Sequence, residues 1–239
     1  MRKATIAEII EHGSLEMGID LPLGVGALFE LYYSILEERN QKVNLTAIKG
    51  REDVARLHFL DSLALLAANG FDNARVVDVG SGAGFPGVPL KLAKPTIDLT
   101  LIDASLKRIE FLLHLCAALR IDAECIHARA EEYARKHEMR EAFDTAVSRA
   151  LAKLSVLCEL CLPFVRVGGL FLAIKSADSD KEIDNAREAA RVLGAAIEKV
   201  VDYTIPDTDR AHRIVFFRKS TPTPDKYPRR FARIQKSPL

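Results

Sequence analysis

The run Val76-Val77-Asp78-Val79-Gly80-Ser81-Gly82-Ala83-Gly84-Phe85-Pro86-Gly87 constrains this chain more than any other. Its apolar start reads as a buried parallel strand. The glycines behind it allow a tight turn and close approach of a ligand to the backbone. Pro86 suits the first turn of a helix. Strand, glycine turn and helix together form the ligand end of a doubly wound sheet. A second apolar run, Leu99-Thr100-Leu101-Ile102, ends in Asp103, 21 residues beyond Gly82. A carboxylate at that strand tip can accept hydrogen bonds from both hydroxyls of a ribose.

Two ligands fit this loop. Gly82-x-Gly84-x-x-Gly87 matches the dinucleotide fingerprint. Gly80-x-Gly82-x-Gly84, opened by Asp78, matches the S-adenosylmethionine loop of class I methyltransferases equally well. A pyrophosphate wants amides at a helix N-terminus. S-adenosylmethionine carries a sulfonium, an ammonium and a carboxylate, and an acid ahead of the glycines suits that cationic portion. Asp78 therefore favours the methyl donor, with a nicotinamide cofactor kept as the alternative.

From Arg75 onward the chain alternates strand and helix, which implies a parallel sheet. Strands are predicted near 75–79, 98–102, 123–127, 143–147, 169–174, 197–204 and 212–218. Helices are predicted near 87–93, 105–119, 130–137, 151–163 and 179–193. The last two strands flank a short connection at Pro206-Asp207-Thr208 and should pair as an antiparallel hairpin. The expected fold is α/β, a Rossmann-like doubly wound sheet of seven strands. Before it, Leu28, Leu31, Tyr32, Ile35 and Leu36 recur at helical spacing. Residues 1–70 thus read as a helical extension packed on a core at 71–219. Residues 220–239 carry four prolines and read as an extended tail.

At 239 residues the chain can build one substantial core with an appendage. Apolar residues at 49% and charged residues at 28% describe a globular protein. The apolar runs are too short to span a bilayer, and Met1-Arg2-Lys3-Ala4-Thr5 lacks the apolar centre of a signal peptide. A cytoplasmic location is expected. Cys158-x-x-Cys161 invites a metal reading, but it lies in the helical run Leu154–Leu162 without a second ligand pair. Those cysteines read as small buried hydrophobes, and no metal is expected.

The net charge of +1 conceals an asymmetry. Arg210 to Leu239 holds nine Lys/Arg and one acid, Asp225, a net +8 against −7 for the first 209 residues. A basic end on an acidic body suggests a polyanionic partner. Tyr227 and Phe231 interleave with Lys226, Arg229, Arg230, Arg233 and Lys236, so aromatics can stack on bases while cations meet phosphates.

The motifs in order include Asn44-Leu45-Thr46, His58-Phe59-Leu60-Asp61-Ser62 and Asp78 to Gly87. They continue through Leu101-Ile102-Asp103-Ala104, Ala130-Glu131-Glu132 and Ser148-Arg149-Ala150, and end with Lys226-Tyr227-Pro228-Arg229-Arg230 and Lys236-Ser237-Pro238-Leu239. This set resembles the bacterial guanine-N7 methyltransferases of 16S ribosomal RNA, the glucose-inhibited division protein B family. The chain departs from it at Phe231-Ala232-Arg233, where relatives often carry a glycine. The resemblance implies a class I S-adenosylmethionine-dependent methyltransferase acting on 16S ribosomal RNA within the small subunit. It implies donor contacts at Gly80, Phe85, Ala130, Glu131 and Arg149, beside Asp78, Gly82, Gly84, Asp103 and Ala104 of the two strand tips.

Asn44, His58, Asp61, Arg149 and Lys175 are the candidates for the guanine side. His58 and Asp61 share a helix face, and Lys175 ends the strand Leu170–Ile174 with RNA phosphate in reach. Nitrogen 7 of guanine has a free lone pair, so no residue is expected to be an indispensable acid or base. An enzyme of this size is expected to work as a monomer. Removing residues 221–239 is expected to weaken RNA binding and leave donor binding little changed. Other readings are a methyltransferase for another RNA, a protein or a small molecule, a nicotinamide-dependent oxidoreductase, and an RNA-binding module without chemistry.

Overall fold

A computed structural model describes residues 4–68 and 71–239. Seven strands form one sheet: β1 (Arg75–Val79), β2 (Asp98–Asp103), β3 (Ala123–His127), β4 (Phe143–Arg149), β5 (Val165–Ser176), β6 (Ala195–Thr204) and β7 (Ala211–Lys219). Their order is β3-β2-β1-β4-β5-β7-β6. β1 to β5 pair in parallel, and β7 inserts antiparallel between β5 and β6. The order reverses between β1 and β4, which opens a crevice at the carboxyl ends of those strands.

On one face lie α5 (Gly87–Ala93) and α6 (Leu106–Leu119); on the other lie α7 (Ala130–Tyr133), α8 (Leu154–Cys161) and α9 (Asp180–Val192). The N-terminal helices are α1 (Ile6–Glu16), α2 (Val25–Val43), α3 (Arg51–Val54) and α4 (Asp61–Ala68). Thr5 and Glu8 start α1 with a reciprocal capping box. These helices share the core of the α5–α6 face: Phe29, Tyr32 and Phe59 bury with Leu101 and Leu112. Each such aromatic contributes about 1.5–3 kcal/mol through burial, so the extension is cemented to the sheet.

Three expectations change. The strand expected at 169–174 runs from Val165 to Ser176, because both its edges are paired, to β4 and to β7. The helix expected at 130–137 lasts one turn, since Arg135 to Glu138 face solvent and have no apolar stripe to bury. Residues 220–239 are not an extended tail. Thr223 and Tyr227 are buried, and a last helix, α10 (Phe231–Lys236), inserts Ile234 at 0% exposure into the core.

Cations drive that docking. Buried Lys219 donates Nζ to Leu162 O (2.8 Å) and Thr223 Oγ1 (2.6 Å). Arg140 donates to the carbonyls of Thr223 (2.7 Å) and Tyr227 (3.0 Å), and Arg135 to that of Pro228 (2.6 Å). Charged donors make hydrogen bonds roughly twice as strong as neutral ones. They satisfy carbonyls of a proline-rich stretch that has no ladder partners of its own.

Candidate functional site

The glycine loop leaves β1 with Gly80 N and Ser81 N both donating to Ile102 O, at 2.8 and 3.1 Å, so the tips of β1 and β2 are joined. Gly80 has φ +74°, and a Cβ there would lie 2.6 Å from a Leu151 methyl. Gly84 has φ +97°, and its missing Cβ makes room for the Tyr32 hydroxyl. That hydroxyl donates to Ala83 O at 2.6 Å.

The two strand-tip acids serve different atoms. Asp78 Oδ2 accepts from Gly87 N at 2.8 Å and so holds the far end of the loop. Its Oδ1 meets no donor among the described residues. Burial pushes this carboxyl up to about 7, against the lowering effect of the Gly87 amide. Asp103 is 4% exposed and accepts from Gly82 N (3.0 Å), Ser105 N (2.8 Å) and Arg108 Nη1 (3.3 Å).

A cavity of about 140 Å³ opens at these tips. Gly80, Asp103, Ala104, Ala130 and Glu131 line it, five of the residues named from sequence. Leu151, Arg108 and Arg129 are also among its walls and were not named, and Phe231, named only as an aromatic of the basic end, lines it too. Burial raises the Glu131 carboxyl, with its own amide, Arg129 and the Phe231 N–H acting against that.

Phe85 faces elsewhere, sandwiched between Tyr32 (5.4 Å, 8°) and His58 (4.3 Å, 12°). Arg149, at the end of β4, sits over the same ring at 5.1 Å. Its guanidinium donates to Leu57 O (2.9 Å), Asp61 Oδ2 (2.7 Å) and His58 Nδ1 (2.7 Å). Residues Ala55–Leu60 are wound as a π-helix between α3 and α4. Asp61 N reaches Arg56 O, five residues back, in place of Leu57 O, which leaves that carbonyl facing Arg149. Such π turns are frequent at functional sites.

Arginine is always a donor, so His58 Nδ1 accepts and Nε2–H points at Thr46 Oγ1, 2.7 Å away. Burial, then the Arg149 charge, pushes His58 down to about 3, and the ring is neutral. Asp61 also accepts from Tyr203 Oη (2.6 Å) and His212 Nδ1 (2.7 Å). Burial alone would raise this carboxyl; His212, Arg149 and Tyr203 together hold it below the ordinary carboxylate range.

Sequence reasoning missed Tyr203 and His212. They lie 142 and 151 residues from Asp61, on the terminal hairpin, and no local spacing signals them. Asn44 ends α2 in the left-handed region at φ +45° and lines a separate 310 Å³ pocket with Thr46. Lys175 is paired with Glu182 (2.8 Å) and Ala152 O (3.2 Å), so its ammonium is held at the sheet.

The basic end divides in two. Arg229 forks onto Glu159, a carboxylate at 0% exposure, at 2.6 Å, and Tyr227 is buried. Lys226, Arg230, Arg233 and Lys236 are exposed. A groove of about 710 Å³ beside the cavity brings Arg129, Arg135 and Arg230 together and shares Glu131 and Phe231 with it.

Residues 26–211 match the family described as rRNA small subunit methyltransferase G. The chain belongs to that family. A small-subunit ribosomal RNA methyltransferase G of Pelotomaculum thermopropionicum is 42% identical over 238 residues, covering 99% of this chain and 100% of its own. One from Clostridium botulinum is 43% identical over 213 residues, 88% of this chain and 89% of its own. The crystal structure of a methyltransferase from Pyrococcus furiosus shares the fold, with TM-score 0.53 at 13% identity, over 80% of this chain and 98% of that one.

As a member of that family the chain is an rRNA methyltransferase, and S-adenosylmethionine is its methyl donor. The nicotinamide alternative falls with that membership. The residues present suit the donor: a loop where a Cβ at Gly80 is forbidden, a carboxylate at the second strand tip, and a second carboxylate on α7. At about 140 Å³ the cavity is smaller than the ~300 Å³ at which ligand sites begin. Leu151, 40% exposed, lies against Gly80 at the mouth of this cavity.

Proposed function

We propose that this enzyme methylates nitrogen 7 of a guanine in 16S ribosomal RNA, holding S-adenosylmethionine in the cavity at the tips of β1, β2 and β3. The observation that carries the reading is the convergence of Gly80, Asp103 and Glu131 on one cavity at the reversal of strand order. In this reading Asp103 takes the ribose hydroxyls and Glu131 the adenine edge. Gly82 and Ser105 amides hold the Asp103 carboxylate in place. When bound, the donor supplies a methyl group activated by its sulfonium.

The guanine nitrogen 7 lone pair needs no deprotonation, so the chain's task is alignment. The residues around Arg149 are built for holding. His58 is neutral, Asp61 is ionised, and each polar atom of the pair has a fixed partner. Asp61 offsets Arg149, so an unpaired guanidinium does not oppose the positive charge that the methylated base acquires.

Residues 1–70 act in this reading as the extension that carries His58 and Asp61 to β4. Residues 71–219 are the methyltransferase domain, and 220–239 present cations to RNA. Lys226, Arg230, Arg233 and Lys236, with Arg129 across the groove, form the footprint on phosphate. In this reading the enzyme acts as a monomer in the cytoplasm, where its ribosomal RNA substrate is found. No described helix is long and apolar enough to cross a membrane.

The test is transfer of a labelled methyl group to naked 16S RNA and to small subunits, with mapping of the modified base. A label on nitrogen 7 of one guanine supports the reading. A label elsewhere, or transfer only to small molecules, refutes it. Arg233→Ala with Lys236→Ala should lower the magnitude of the salt slope of RNA binding by about 1 per cation.

A further inference from the structure

The cavity has one wall that comes from outside the methyltransferase sheet and its crossover helices. Phe231, the first residue of α10, lines both the cavity and the groove beside it. It shares both with the Glu131 carboxylate. The Arg129 guanidinium lies over its ring at 5.8 Å. The segment that carries the ring is anchored on both sides. On the C-terminal side Ile234 is anchored in the core. On the N-terminal side Arg229 grips Glu159 through both its backbone N–H (2.7 Å) and its guanidinium. Phe231 itself is half-buried: it packs against the core behind it and also lines the cavity.

We propose that Phe231 is a cofactor-contacting residue, its ring closing the adenine side of the donor cavity, so that the C-terminal segment completes the donor site. This rests on the reading that the cavity holds S-adenosylmethionine. A purine has two apolar π-faces and a polar edge. Glu131 offers an acceptor for the edge, and the Phe231 ring beside it offers a surface for a face. Stacking of a base on an aromatic side chain is sequence-tolerant and needs only a rigid platform, which the anchors on both sides of Phe231 provide. Donor binding then depends on the segment, contrary to the expectation from sequence. The basic residues that meet RNA sit on the helix that also walls the donor.

The test is calorimetric binding of S-adenosylhomocysteine to the full-length protein and to Phe231→Ala, Phe231→Leu and Phe231→Tyr, with thermal unfolding of each. Stacking predicts a Kd raised about 5- to 100-fold in Phe231→Ala. Phe231→Leu, which keeps apolar bulk but no ring, should lose most of that affinity, and Phe231→Tyr should retain wild-type affinity. If Phe231→Ala fails to fold, the Leu and Tyr pair carries the comparison. Wild-type affinity in Phe231→Leu, or losses that only track the melting temperature, would overturn the inference and make the ring mere packing. Failure of the wild-type protein to bind S-adenosylhomocysteine would sink the cavity reading itself, and the inference with it.

Discussion

Asp61 and Asp78 are both buried, at 1% and 0% exposure, yet their carboxyls move in opposite directions. Burial raises each one. Asp61 meets Arg149, Tyr203 and His212 and stays below its ordinary range. Asp78 meets a single amide, from Gly87, and climbs to about 7. Burial sets the cost, and the number and charge of the donors set the sign. Asp61 is thus a charged anchor between the N-terminal helices, β4 and the terminal hairpin. Asp78 is a latch inside the glycine loop whose carboxyl titrates at about 7.

Breaking the anchor should have the largest effect. Asp61→Ala leaves Arg149 buried without its counter-ion, and such losses cost about 3–5 kcal/mol. Urea unfolding should show it, and methyl transfer should fall well beyond the loss in folded protein. A near-neutral stability change would mean that Arg149 finds another partner.

Next comes the latch, read through pH. Asp78 binds its proton more tightly folded than unfolded, so stability is present at low pH and is lost as pH rises from the ordinary 3.8 towards about 7. Asp78→Asn removes that loss. Its stability relative to the wild type should improve by up to about 4 kcal/mol between pH 4 and pH 8. A pH-independent difference would show that Asp78 ionises freely.

His58 supplies the opposite slope. Its folded value of about 3 lies below the ordinary 6.5, so its contribution is present above 6.5 and drains away as pH falls. His58→Gln should flatten acid unfolding in that window and leave the alkaline side alone. The smallest effect is expected of Tyr203→Phe, about 1.5 kcal/mol for one hydrogen bond to a charged group that keeps its other donors. Thermal unfolding at neutral pH would measure it.

Much of this was readable beforehand. The seven strands are apolar runs broken by glycines and prolines, and their pairing follows from buried faces and short connections. Asp103, Ala104, Ala130 and Glu131 come together because strand tips of a parallel sheet must share one edge. The pairing of Lys175, a candidate for RNA phosphate, is not legible, because its partner Glu182 sits on the next helix and not beside it in sequence. Arg229 looked like its exposed neighbour Arg230, and only the buried Glu159 separates them.

The sequence by itself determined the sheet, the glycine loop and the two strand-tip acids, because those features are local in pattern and period. Only the tertiary structure decided which of the basic residues are bolts and which are free. It also decided that Tyr203 and His212 hold Asp61 and that Phe231 reaches the cavity. Charge and burial depend on who stands opposite, and partners dozens to over a hundred residues away leave no mark in local spacing.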